Sequence, residues 1–464
     1  MVVDEGPLLL KDTARIVPFD NYLWVIEGIT GFRHIALPFE VALLTLCDGT
    51  VTQDSLAEIV SQLLSPDSSV DDARNTVHIV LSKFAPTLRR GNGNVQPLRY
   101  SFADYLYPVD PIMRHPERLP SPVEILFTLT NKCNLRCVYC FNNSGIARTD
   151  ELSTSEWLDL VCEADDIGIQ KIHLSGGEPF AHRGAVQILR EIKRRDLLVE
   201  VATNGTRSYS DEVFEMLSGS RVDISLDTCD EDLYARLTGS RSFHRVLANI
   251  EAFVRAGSSV SIKSCITSLN YTNIAKLYSL LADIGVADVG LAAYTTSVSG
   301  RGGDELKLSP DMIASVRSQF ENIQQVPETS LTFGIPNPCW QARSDIISCD
   351  ALVTTVIVMP NGDVTPCELI TDTEELCFGN VRSESLTQIW TNPKVEDFFY
   401  RKSHPEIGAC TSCAFAESCQ TGCFAEKLYL GTPLYGPDPR CRISTHSTAI
   451  TRTPVAPRVP AMAN

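Results

Sequence analysis

"NKCNLRCVYCFN", residues 131–142, follows the strand-like "EILFTL" at 124–129 and sets Cys133, Cys137 and Cys140 in the spacing C-x3-C-x2-C. A structural zinc site normally takes four ligands, and a closed iron-sulfur cluster takes four cysteines. Three thiols on one tight loop leave a bound metal group with an open position, where a substrate or cofactor can attach. Zinc completed by a distant fourth ligand is the alternative that this spacing alone leaves standing.

Working outward, the segment from about 122 repeats strand, loop and helix. Apolar strand patterns occur at 124–129, 171–174, 198–203, 222–227, 260–266 and 289–294, with amphipathic stretches such as "STSEWLDLVCEADDIG" between them. Six alternating units predict an α/β fold with a parallel sheet, either open or part of a barrel. Chemistry in such folds gathers at the carboxyl ends of the strands. Those ends carry the three cysteines, then "SGGEP" at 175–179, then "TNG" at 203–205. Before this core, short strand patterns at 8–38 lead into three helical patterns up to about residue 88, which predicts a winged-helix-like α+β module over 1–95. Residues 96–121 read as a linker, with "RRGNGNVQPLRY" as wing or linker. Beyond 330 the alternation stops and cysteines become dense, predicting a metal-organised domain over 331–445. Its "VIVMPNGDV" signals a hairpin turning at Asn361-Gly362. The Pro- and Thr-rich 446–464 is expected to be a disordered tail.

The chain has 464 residues, too many for one small module, and a net charge of -17 that would repel a nucleic acid backbone. No apolar run approaches bilayer length, and the acidic start does not resemble an export signal. The expected setting is cytoplasmic, with no membrane and no nucleic acid as partners. Among 16 cysteines, Cys47, Cys162, Cys229 and Cys265 stand alone and read as small buried hydrophobes. The others cluster, as metal ligands do in a reducing compartment.

Together the cysteine loop, Tyr139 within it, and Ser175-Gly176-Gly177-Glu178-Pro179 after the second strand resemble the radical S-adenosylmethionine superfamily. The resemblance implies a partial (β/α)6 TIM-like barrel. It also implies a 4Fe-4S cluster on Cys133, Cys137 and Cys140 whose fourth iron is chelated by the methionine part of the cofactor. Adjacent glycines permit close backbone approach, and Glu178 suits a cationic amino group. Tyr139, Gly176, Gly177, Glu178, Asn204, Ser225 and Asp227 are the cofactor-binding candidates, whereas Lys263 is read as lining the barrel. In that family a 5'-deoxyadenosyl radical removes a substrate hydrogen.

The later array, Cys349, Cys367, Cys410, Cys413, Cys419, Cys423 and Cys441, resembles the SPASM extension of peptide-modifying radical enzymes. That resemblance implies two auxiliary 4Fe-4S clusters, hence three in all. Cys349, Cys367 and Cys423 would hold the first, with Cys339 as the candidate fourth ligand and Cys377 or an open site as alternatives. Cys410, Cys413, Cys419 and Cys441 would hold the second. Two zinc ions are the alternative for this domain. Glu368, next to Cys367, is the candidate catalytic base. Residues 15–90 resemble the PqqD-like element that captures leader peptides as an added strand. The assembly resembles maturases of the subtilosin, thioether-forming type, and "SGRGGD" at 299–304 also looks like that group. The implied partners are a precursor peptide and an electron donor such as flavodoxin or ferredoxin. Carbon-carbon crosslinking, sulfatase-type maturation and a non-catalytic iron-sulfur scaffold are the competing readings.

Overall fold

The structure is a computed structural model. It describes residues 7–11, 14–19, 22–27, 32–36, 38–63, 70–91, 93, 122, 124–296, 300–323, 329–334, 351–352, 355–370, 373–403, 408–413, 421–438 and 441. The expected linker at 96–121 and tail at 446–464 lie outside these residues, as do Cys339, Cys349 and Cys419. The chain divides into two compact units, Met1–Pro120 and Ser121–Asn464.

The first unit runs β1 (Leu8–Leu10), β2 (Ala14–Phe19), β3 (Tyr22–Glu27), β4 (Phe32–Ala36), α1 (Pro38–Thr45), α2 (Gln53–Leu63), α3 (Val70–Lys83) and β5 (Leu88–Arg90). Strands β2, β3 and β4 form an antiparallel meander. The apolar spacing of the helices puts Val41, Leu44, Leu56, Val60, Val77 and Leu81 into one buried cluster with Leu8, Leu10 and Ile16. Arg89 and Arg90, read as the start of a wing or linker, instead belong to β5, which pairs antiparallel with β1.

In the second unit, β6 (Glu124–Thr128), β7 (Lys171–Ser175), β8 (Leu198–Thr203), β9 (Arg221–Ser225), β10 (Ser259–Ile266) and β11 (Asp288–Ala293) are the six expected strands. Helices α4 (Thr154–Asp166), α5 (Ala185–Arg194), α6 (Asp211–Leu217), α7 (Glu231–Thr238), α8 (Phe243–Arg255) and α9 (Ile274–Ile284) connect them. All six strands are parallel and each lies beside its neighbour in sequence. A doubly wound sheet would reverse order at a switch point, so this order is that of a partial barrel. Residues of one strand face, including Ile125, Phe127, Ile172, Leu174, Val201, Ile224 and Ile262, are buried in the core that the helices share.

Two additions lie beyond the six. After α10 (Pro310–Ile323), strand β12 (Ser330–Gly334) joins β11 in parallel, so the sheet continues across the expected boundary at 331. At the other edge, β13 (Thr355–Val358) pairs in parallel with β6 and turns back antiparallel as β14 (Val364–Thr365). The turn is the expected one, with Gly362 at φ +89. Among the described residues the sheet thus has nine strands, and the hairpin that precedes Cys367 is part of it. Among the described residues, no helix is long and apolar enough to cross a membrane.

Arg382 fastens the later segment to the core. Its guanidinium donates to Glu156 at 2.6 Å and to the carbonyls of Asp150 and Glu151 at 3.0 and 3.2 Å. That contact, then the Ser153 amide, holds the Glu156 carboxyl down at about 2. Because the folded value lies below the unfolded value of about 4.3, the stabilisation is full above that pH and fades as pH falls through about 2. Wild type is therefore expected to unfold at higher urea than Arg382→Gln near neutral pH, with the gap narrowing steadily on acidification below about 4.

Candidate active site

Residues 129–145 fold over the carboxyl end of β6. The Glu151 carboxylate accepts from Thr130 Oγ1 at 2.7 Å and from the amides of Asn131 and Arg148 at 2.8 and 2.9 Å. Farther along, the amides of Arg136 and Val138 donate to Thr238 O and Leu237 O at 2.8 and 2.9 Å. The end of α7 thus has its open carbonyls satisfied by the cysteine loop.

"SGGEP" runs directly against this loop. Gly177 N donates to Thr130 O at 2.7 Å and Glu178 N to Lys132 O at 2.9 Å. A Cβ on Gly176 would stand 2.7 Å from Thr130 O, and one on Gly177 would stand 2.7 Å from Lys132 O and 2.9 Å from Asn131 O. Gly176 also has φ +143, which L side chains rarely adopt. The close approach these glycines permit is therefore to the cysteine loop's own backbone.

Three candidate polar residues lie around the loop. Glu178 is fully buried; its carboxylate accepts from Thr203 Oγ1 at 2.8 Å and from the amides of Asn204 and Phe180 at 2.8 and 3.2 Å. Asp227, buried at the end of β9, accepts from the Tyr139 hydroxyl and, at 2.7 Å, from the Cys265 amide. Burial pushes the Asp227 carboxyl up to about 6 against the opposing pull of these donors. Asn204 Nδ2 stands 3.7 Å from Cys133 Sγ and 3.1 Å from Asn134 Oδ1. Ser225, by contrast, is exposed at the end of β9.

The donor set fits a cluster better than a single ion. Cys133, Cys137 and Cys140 are partly buried and free. Among the described residues, only His173, Glu200 and Asp223 have ligand atoms that all lie within 4.8 Å of one another. Three thiols on one loop stop one ligand short of the four that a closed zinc site takes. Burial, followed by Asp227 and Cys140, pushes the Cys137 thiol up to about 12. Burial also raises the Cys133 thiol, with Glu178 and then Cys140 adding to the rise.

In the cysteine-rich segment, burial raises the Cys410 thiol, with Cys441 and Cys413 next. These three belong to the expected second set. The buried Lys427, bonded to Thr421 Oγ1 at 2.8 Å and Leu434 O at 2.6 Å, opposes that rise. Cys367 and Cys423 are partly buried, and Cys377 donates to Gly379 O at 3.5 Å. Of the four lone cysteines expected to be buried, Cys47 is, whereas Cys162, Cys229 and Cys265 are only partly buried, and Cys162 Sγ accepts from Arg195 at 2.9 Å.

The strand positions alternating with the core carry charge. Lys171 pairs with Glu124 and Glu200 at 3.0 and 3.1 Å. Arg221 pairs with Glu200, Asp223 and Asp288 at 3.1, 3.0 and 3.1 Å. Lys263 stands 3.7 Å from Asp288 and is half exposed. Because Glu200 and Asp223 already spend themselves on chain cations, their trio with His173 is an ion-pair floor rather than a metal site. Glu368, 193 residues later in sequence than Ser175, receives that hydroxyl at 3.3 Å. Burial raises its carboxyl, opposed by His173 and Ser175.

Sequence reasoning missed Glu151 and the role of Arg301. Arg301 was visible only as part of "SGRGGD", and its amide donates to Cys140 O at 2.9 Å. For the glycine contact, Gly177→Ala is expected to displace the loop; iron retained after anaerobic reconstitution and desalting should fall by about four per chain, with the cysteine-rich segment's share unaffected.

Residues 127–284 match the family model described as the Radical SAM superfamily, and residues 349–414 match SPASM, an iron-sulfur cluster-binding domain. Mycofactocin maturase MftC of Mycobacterium tuberculosis is 28% identical over 361 residues, covering 76% of this chain and 91% of that protein. PqqA peptide cyclase of Methylobacterium sp. (strain 4-46) is 27% identical over 335 residues, covering 70% and 87%. The structure of Streptococcus suis SuiB bound to precursor peptide SuiA superposes with a TM-score of 0.67 at 18% identity, over 94% of this chain and 100% of that one, a likeness of fold. Sheet order, thiol loop and these matches agree on a chain that carries a Radical SAM domain at 127–284 and a SPASM iron-sulfur cluster-binding domain at 349–414.

Proposed function

We propose that this enzyme oxidatively modifies a ribosomally made precursor peptide by an intramolecular crosslink, such as a thioether from a cysteine sulfur to an α-carbon. The observation that carries the reading is the place of Glu368. A carboxylate from the cysteine-rich segment meets Ser175 at the carboxyl end of β7, beside the glycine pair that packs on the cysteine loop. The similarity to MftC and PqqA peptide cyclase supports a peptide substrate.

In this reading Cys133, Cys137 and Cys140 hold a 4Fe-4S cluster, and Ser225 and Asn204 face the cofactor. When bound, that group supplies a radical that removes one hydrogen atom from carbon. The sulfur must also lose its proton, and one further electron must leave, so the peptide loses two hydrogens in all. Glu368 is the group this chain offers for the proton. Its raised carboxyl makes it a stronger proton acceptor than an ordinary carboxylate. Cys349, Cys367 and Cys423, with Cys339 as the candidate fourth ligand, and Cys410, Cys413, Cys419 and Cys441 hold two auxiliary clusters that suit the electron. Residues 1–95 bind the leader, and a flavodoxin or ferredoxin reduces the enzyme.

Co-expression with any short peptide found encoded beside this protein is expected to give a product two hydrogens lighter; unchanged peptide mass with active cofactor cleavage would sink the proposal. Glu368→Gln should still form 5'-deoxyadenosine while crosslinking falls about 100-fold. Equal product yield would remove Glu368 from the chemistry. Deleting residues 1–95 should weaken leader-peptide affinity while leaving uncoupled 5'-deoxyadenosine formation intact, as read by titration and product assay.

A further inference from the structure

The segment after β11 returns to the cysteine loop through one residue. Arg301 N donates to Cys140 O at 2.9 Å, its Nη1 donates to Cys137 O at 3.3 Å, and its Nη2 donates to Ser144 O. Three carbonyls on the arc that bears the second and third cysteines therefore end on one side chain and its own amide. Within that arc the local backbone bonds are long, 3.3 Å from Cys140 N to Cys137 O and 3.5 Å from Asn143 N to Cys140 O. The staple itself is anchored: a Cβ on Gly302 would stand 2.4 Å from Tyr294 Oη, so the chain passes tightly over that ring. A planar fork with a permanent charge suits this task, because it can reach two carbonyls at once without losing its charge.

We propose that Arg301 is a positioning residue for the cluster on Cys133, Cys137 and Cys140, locking the arc in its cluster-holding shape and favouring the reduced state by its nearby positive charge. This rests on the reading that those three thiols hold the cluster. Net charge and hydrogen bonding around a cluster set its potential, and a neighbouring cation stabilises the added electron.

The test uses the full-length protein, reconstituted anaerobically, as wild type, Arg301→Gln, Arg301→Lys and a Cys133→Ala/Cys137→Ala/Cys140→Ala control. The control must lose about four irons per chain and one paramagnetic signal; if it does not, the cluster reading itself fails before Arg301 is considered. Given that signal, Arg301→Gln is expected to shift its midpoint to more negative potential. At the wild-type midpoint the reduced-to-oxidised ratio should fall about tenfold, which is 59 mV for one electron. Iron loss to a chelator should become several-fold faster. Arg301→Lys should recover most of the potential, since the charge stays, but not the retention, since the fork is gone. Wild-type potential and wild-type retention in Arg301→Gln overturn the proposal. Should that variant fail to fold by circular dichroism, Arg301→Lys decides: wild-type retention there overturns the staple.

Discussion

Between Gly177 and the carbonyls of Asn131 and Lys132 there is no space for a methyl group, and the same is true of Gly176 beside Thr130. That contact fixes the cysteine loop to the end of β7, and other features follow from it. Glu178, next in line, is drawn inward onto Thr203 and Asn204, which brings Asn204 to Cys133. Two adjacent strands and one loop are thus held by backbone contacts that no side-chain motion can relax.

Three carboxylates around the loop, Glu151, Glu178 and Asp227, are spent on the protein's own donors. An acid with two or three hydrogen bonds inside the fold is a structural strut, because breaking any of them would leave a buried donor unpaired. Ser225 is exposed and Lys263 half exposed, while the three thiols of the loop are partly buried. Such a division makes the loop rigid without using up the surface that meets a ligand.

The parallel strands were legible in the sequence because their apolar periodicity reports burial on one face, and the Asn361-Gly362 turn because its backbone needs a positive φ. Periodicity does not name a partner. Nothing local says that Leu8–Leu10 pairs with Leu88–Arg90, or that Thr355–Val358 lies beside Glu124–Thr128. The candidate site divides in the same way. Cysteine spacing is a chemical pattern that sequence carries openly. Whether Glu178 and Asp227 face a ligand or the fold depends on which amides come within reach, and that is settled only when distant strands align. Arg301 and Glu151 were hidden for this reason: their partners are backbone carbonyls and amides, which every sequence possesses.

Because β13 is hydrogen-bonded to β6, the cysteine-rich segment enters the barrel sheet as a strand rather than hanging from a tether. Two residues after β14 comes Cys367, and next to it Glu368. On the reading that Cys367 holds an auxiliary cluster, the separation between that cluster and the mouth of the barrel is a ruler marked in strand register. Electron passage falls off steeply with distance, so on that reading a slip of one pairing position would alter its rate without altering any ligand.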